Sequence, residues 1–165
     1  MVNSIPGLYA INSGGFGPGV VQNFVTQTNP PVNSTAVTAK PGQAIIVWAT
    51  GLGPGLNPDN QPPQPGDVST PVEVFVGGKL AVKLYSGRAP CCAGLDQIVF
   101  QVPADAPAGC YVPVQVRTAG SNMSNTVTMA IDDGGQPCSD RLKPQLQPYL
   151  KGGKSARCWR TASPR

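Results

Sequence analysis

Glycine and proline set the limits on what this chain can become: 20 Gly and 19 Pro are spread through 165 residues. Proline has no amide hydrogen and clashes with the preceding helical turn, while glycine loses the most backbone entropy on ordering. A chain punctuated this densely cannot sustain long helices. Yet 40% of its residues are hydrophobic and only 12% are charged, so it can bury a core and is no low-complexity coil. Short strands joined by many turns satisfy both facts. The length fits one domain with an appendage, large enough to fold without a metal.

The apolar pattern agrees. Strand-like runs closed by Gly, Pro or Asn occur at 7–11, 19–26, 44–50, 71–76, 80–85, 97–102, 111–117 and 126–131. In 72–76, 81–85, 111–117 and 125–131 the polar residues share one parity, the sign of an antiparallel strand with one wet face. The run Ala44-Ile45-Ile46-Val47-Trp48-Ala49 is apolar on both parities and is expected to be covered on both sides, with Trp48 in the core. Gly77-Gly78 between two alternating runs predicts a two-residue hairpin loop needing positive φ. Residues 52–70 are crowded with Pro, Gly, Asn and Asp and form a long loop, of a kind that is often functional or mobile. The expectation is all-β: an antiparallel sandwich of about 7–8 strands over residues 1–131. Residues 132–165 are expected to be a linker and a basic, disordered tail.

Charge divides the chain at the same place. Residues 1–140 carry five Lys/Arg against all eight acids, a net of −3, whereas 141–165 carry seven Lys/Arg and no acid, a net of +7. Such a tail can touch polyanions, but it has no amphipathic period and reads as a solvated end rather than a specific nucleic-acid site. No apolar run reaches the roughly 18 residues that cross a bilayer. The N-terminus has neither a basic nor an apolar leader region, so a cytoplasmic location is expected for the chain as given unless a larger parent exports it.

The residue inventory excludes several chemistries. The chain has no histidine, so Ser-His-Asp and Cys-His arrangements and His-based metal sites cannot form within it. Acid–base work would fall to carboxylates, Tyr or Lys. The densest carboxylates are Asp132-Asp133-Gly134-Gly135 with Asp140 following. Hard oxygens on a glycine loop suit Ca²⁺, although a solvated linker explains them as well. Asp59 and Asp67, in the long loop, could make a second oxygen site, although turn chemistry accounts for both. Five cysteines leave at least one thiol unpaired. Cys91 or Cys92 with Cys110 or Cys138 could form disulfides; an adjacent pair is poorly placed to bridge its own members, and no C-x₂-C spacing supports zinc. Arg88 beside Cys91-Cys92 could lower a thiol pKa. Tyr85 and Tyr111 read as packing residues. Gly14-Gly15-Phe16-Gly17-Pro18-Gly19 precedes a strand, so it lacks the helix terminus of a phosphate loop.

A series of motifs runs through the body: Pro6-Gly7-Leu8-Tyr9, Ala49-Thr50-Gly51-Leu52-Gly53-Pro54, Val74-Phe75-Val76-Gly77-Gly78, Leu84-Tyr85-Ser86-Gly87-Arg88-Ala89-Pro90, Gly94-Leu95-Asp96-Gln97-Ile98, and 102–109. Ser124-Asn125-Thr126-Val127-Thr128 closes it. In order and spacing this series resembles an uncharacterised immunoglobulin-like C-terminal domain of large secreted proteins of Solibacter-type acidobacteria. The resemblance implies an immunoglobulin-like sandwich serving as a non-catalytic module of exported or surface proteins, and it carries no catalytic residues. The opening at Met1 and the end, 155–165, which reads as out-of-frame sequence, suggest a gene fragment of environmental origin.

Two functions are therefore expected. One is a binding or structural module that presents loops or an edge strand to a carbohydrate or protein partner. The other is a small Ca²⁺-assisted hydrolase of esters or lactones, of the acyl-homoserine-lactone type, in which carboxylate-held calcium polarises the carbonyl and activates water.

Overall fold

The computed structural model describes residues 4–26, 28–55, 68–89, 91–92 and 94–138. Asp59, Asp67, Asp140, Cys158 and the basic tail lie outside the described residues. The strands are β1 (Gly7–Leu8), β2 (Val21–Asn23), β3 (Ala44–Thr50), β4 (Val72–Val76), β5 (Lys79–Arg88), β6 (Asp96–Gln101), β7 (Gly109–Thr118), β8 (Asn122–Met123) and β9 (Val127–Ile131). Every strand pair is antiparallel, and no helix occurs among the described residues. The fold is all-β, as the Gly/Pro spacing and the alternation require. β8 was not foreseen: it is a two-residue return after Ala119-Gly120, both at positive φ, and pairs with Arg117 and Thr118.

One strand serves both layers. Lys79, Leu80 and Ala81 pair with β4, after which the strand crosses over and Val82 to Arg88 pair with β6, with a register shift between Lys83 and Tyr85. A bulge of this kind bends a strand and raises its twist. The first sheet thus holds β1, β2, β3, β6 and the later part of β5, and the second holds the start of β5, β4, β7, β8 and β9. The β3-β6-β5 and β4-β7-β9 groupings give the immunoglobulin-like arrangement. Gly77 (φ 58°) and Gly78 (φ 79°) close the β4–β5 hairpin with the double positive φ of a type I′ turn.

Alternating residues of the two sheets meet in the middle. Ile45, Val47 and Ala49 of β3 and Ile98 and Phe100 of β6 face Val72, Val74 and Val76 of β4 and Val112, Val114 and Val116 of β7. Phe100 is the largest fully buried side chain. Each such residue contributes about 1.5–3 kcal/mol on burial. The alternation read in 72–76 and 111–117 marks these inward positions. In 44–49 both parities lose solvent, to different degrees: Ile45, Val47 and Ala49 face the second sheet, while Ala44, Ile46 and Trp48 lie on the opposite face of the first sheet beside Gln97, Val99 and Gln101 of β6, with Ile46 buried and Trp48 half-buried.

Where β5 joins the layers on one side, asparagine side chains join them on the other. Asn33 accepts from Ala130 N (2.7 Å) and donates to Ala130 O (2.9 Å) on β9. Asn125 accepts from Leu8 N (2.7 Å) and donates to Leu8 O (2.9 Å) on β1. Each amide stands where the peptide group of a neighbouring strand would. Asn33 also donates to Asn23 Oδ1, and Asn23 donates to the carbonyls of Val37 and Thr38. Short bridges, Pro18 with Thr128 and Ala39 with Ile131, complete the seam. The boundary expected at 131 moves outward: Asp132 N bonds to Ala39 O, Thr38 Oγ1 to Gln136 O and Cys138 N to Thr35 O.

Asn33→Ala should therefore strand the buried Ala130 amide and cost about 1–3 kcal/mol. Asn33→Asp should cost more, because a buried carboxylate can neither donate to Ala130 O nor escape its desolvation. Urea unfolding of the three proteins checks the order.

Candidate functional site

The acidic turn is held by its own backbone. Asp132 Oδ2 accepts from Gly134 N (3.0 Å) and Gln136 N (2.9 Å), and Asp132 O accepts from Gly135 N (3.0 Å). This is the turn-closing role to which Asp is suited. Asp133 is exposed beside it, and Asp140, the third ligand expected for calcium, lies outside the described residues. Among the described residues no three His, Cys, Asp or Glu side chains gather as a metal set.

The cysteines pair differently from the sequence reading. Cys110 at the start of β7 is bridged to Cys138, with Cα atoms 5.5 Å apart, and Cys91 is bridged to its neighbour Cys92. The expected cross-pairing is ruled out by distance. Cys91 and Cys92 precede β6 while Cys110 follows it, and a six-residue strand puts about 20 Å between them, far beyond the roughly 7 Å limit of a disulfide. The adjacent pair sits in a tight turn closed by Leu95 N to Cys92 O (3.3 Å). Arg88 does not serve these sulfurs. Its Nη1 donates to Asp96 Oδ1 (2.7 Å) and its Nη2 to Gly53 O (3.3 Å).

That ion pair organises one end of the sandwich. Asp96 is completely buried, and its second oxygen accepts from Leu52 N (3.0 Å). Thr50 Oγ1 donates to Gly94 O (3.1 Å), and Ile5 N to Gly51 O (3.0 Å). A Cβ on Gly51 (φ 75°) would run into the Ile5 carbonyl, so glycine is required there. Three motifs, one of them more than 30 positions from the other two along the chain, thus meet at one carboxylate. Asp96 was not singled out as a site residue, because nothing local distinguishes it from an ordinary turn aspartate.

The outer surface of the first sheet has a different character. Gln22, Ile46, Val99 and Tyr85 form one row across four strands, and Trp48, Gln97 and Gly87 form the next. Gln101 and Val82 continue the surface on β6 and β5. None of these side chains is charged. Trp48 is part-exposed and donates Nε1–H to Gln22 Oε1 (2.8 Å), which fixes the indole against the sheet. Tyr85 donates its hydroxyl to Arg88 O (3.0 Å), so its ring runs along its own strand past Gly87. Trp48 is half-buried on the face turned away from the inter-sheet core, where the sequence reading expected it in the core. Its parity with Ala44 and Ile46 was visible in the sequence; which parity meets the second sheet was not.

Charge is concentrated elsewhere. On the second sheet Glu73 receives Arg117 Nε (2.7 Å) and Nη2 (3.0 Å), with the guanidinium 5.0 Å from the Phe75 ring centre. The Arg117 hydrogen bonds hold the Glu73 carboxyl below the usual carboxylate range, Lys79 does the same for Asp105, and Glu73 raises Arg117 in turn. A shallow cleft of about 540 Å³ lies between Asn23, Pro31, Val37 and Lys40, but Asn23 is committed to the seam bonds. Comparison with protein-family models, curated proteins and solved structures finds no match to this chain.

Two outcomes follow. Arg88→Met leaves the buried Asp96 carboxylate without its cation and should cost about 3–5 kcal/mol. Asp96→Asn should cost less, because Arg88, with 25% of its side chain exposed, can turn to water; urea midpoints compare the two. Glu73, lowered in the folded state, stabilises the fold above the ordinary carboxylate range, and that contribution disappears as pH falls through its folded value. The acid side of a pH–melting profile should therefore flatten in Glu73→Gln, and the difference should shrink in high salt because the pair is half-exposed.

Proposed function

We propose that the chain is a non-catalytic binding module of an exported or surface protein, and that it takes its ligand on the outer face of the first sheet. The carrying observation is that face: Trp48 and Tyr85 are both anchored by hydrogen bonds, and among the described residues their row neighbours on the sheet, Gln22, Ile46, Gln97 and Val99, are uncharged. Aromatic rings with amide neighbours give contact area and hydrogen bonding at low ordering cost. The polar groups inside the fold are, by contrast, spent on structure. No buried side-chain nitrogen or oxygen among the described residues lacks a partner, and the buried carboxylate Asp96 is saturated by Arg88 and Leu52 N. The Cys110–Cys138 bridge supports an oxidising compartment, where disulfides persist.

The test is turnover. The purified protein, incubated with a panel of esters and lactones that includes acyl-homoserine lactones, is expected to match the blank with Ca²⁺ and with EDTA. EDTA-sensitive hydrolysis lost in an Asp132→Ala/Asp133→Ala double variant would overturn the module reading in favour of a calcium hydrolase.

A further inference from the structure

The segment that builds the seam beside β9 also walls a cleft. Residues 1–39 contain no charged side chain, and Lys40 is the first one in the chain. The last part of that stretch exposes apolar groups: Val25 is 64% exposed, and Phe24, Val32 and Val37 are open to solvent as well. Val25, Pro31, Val37 and Pro41 give the cleft of about 540 Å³ its apolar wall, and Lys40 and Gln43 border it. Its other polar side chains are already spent. Asn23 Nδ2 donates to the carbonyls of Val37 and Thr38, and Thr38 Oγ1 donates to Gln136 O.

Lys40 is held in position by its stem. The methylenes lie against Gly135, where a Cβ would run into Cγ, Cδ and Cε of the lysine. Gly135 takes φ 69° in the turn that Asp132 closes by accepting from Gly134 N and Gln136 N. The acidic turn thus supplies the bare backbone on which the lysine rests. Among the described residues its ammonium forms no ion pair. Gln43 Oε1 accepts from Lys40 N (3.0 Å), so the amide nitrogen is the end left to donate.

This combination selects a charge and a shape. One cation balances one negative charge, and a carboxylate offers two oxygens to the two donors. A cationic ligand would meet like charge at Lys40, and a neutral one would cover the ammonium without pairing it. The volume lies within the range of about 300–1,000 Å³ that small ligands occupy. An aliphatic chain needs from the wall only the apolar contact that valine and proline give. We propose that the cleft is a second binding site and takes a small amphipathic monocarboxylate, its chain against Val25, Pro31, Val37 and Pro41 and its carboxylate on Lys40 and Gln43. The site is separate from the outer face of the first sheet and does not depend on the reading of that face.

Titration of the full chain with octanoate, followed through backbone amide NMR shifts, tests it, with octanol, octylamine and acetate for comparison. Saturable shifts are expected at Val25, Val37 and Gln43 below about 10 mM octanoate, with weaker binding of octanol and acetate and none of octylamine. Lys40→Met keeps a stem on Gly135 and should weaken octanoate about fivefold while leaving octanol unchanged. Gln43→Glu keeps the acceptor for Lys40 N but gives Lys40 an internal anion, and should weaken octanoate at least as much. Val25→Ser, at an exposed position, should weaken octanoate and octanol alike, and Leu80→Ser on β5 should weaken neither. Melting curves identify any variant that has unfolded, and should Lys40→Met do so, Gln43→Glu reads the same contact. No saturable shift, shifts centred outside the cleft, octylamine binding equal to octanoate, or octanoate affinity unchanged in the folded Lys40 and Gln43 variants would overturn the inference.

Discussion

Two asparagine amides acting as substitute peptide groups decide whether this sandwich closes. Asn33 exchanges a pair of hydrogen bonds with Ala130 of β9, and Asn125 does the same with Leu8 of β1. A sheet edge presents a row of amides and carbonyls that must be satisfied or covered. Here the edge of one sheet reaches the edge of the other through side chains, reinforced by single bridges at Pro18 and Ala39. On the opposite side β5 solves the same problem with backbone alone, leaving one sheet and entering the other. The valine-rich core lies between these two closures.

Closure also orders the ends of the sandwich. With β5 crossing between Ala81 and Val82 and shifting register at Lys83–Tyr85, Arg88 arrives opposite Asp96, and the carboxylate draws in the Leu52 amide and, through Arg88, the Gly53 carbonyl. A fully buried carboxylate is tolerable only when its lone pairs are met. The motifs around Gly51, Arg88 and Asp96 are therefore best understood as parts of one latch, which fixes where the long β3–β4 connection leaves the sheet. The far end is fastened by the Cys110–Cys138 bridge and by the hydrogen-bonded turn of Asp132. Both ends use their charged and sulfur-bearing residues for architecture.

The binding function proposed above uses the outward face of the first sheet. The same strands that bury Ile45, Val47, Ile98 and Phe100 must present Ile46, Trp48, Gln97 and Val99 to the other side, because side chains alternate. Its aromatic and amide character is a positive feature, since an idle solvent face would be expected to carry charge. The second sheet follows that ordinary pattern, with Glu73 and Arg117 paired on its surface.

Much of the fold was legible in the chain. The Gly/Pro density excluded helices, period-two alternation placed β4, β7 and β9 with the correct inward residues, and Gly77-Gly78 fixed its hairpin, because each depends on neighbours within a few positions. The candidate site was far less legible. Trp48 stands in a run apolar on both parities, and only the arrangement of layers decides which parity is covered. The disulfide partners depended on which end of the sandwich each cysteine reached. Asp96 and Asn33 looked like ordinary turn residues until strands more than 40 positions apart were brought beside them. The sequence by itself determined local backbone preference and the two faces of each strand. Tertiary structure alone decided which face met another sheet and which polar side chains met across the seam, because those outcomes depend on distances between segments that no local pattern encodes.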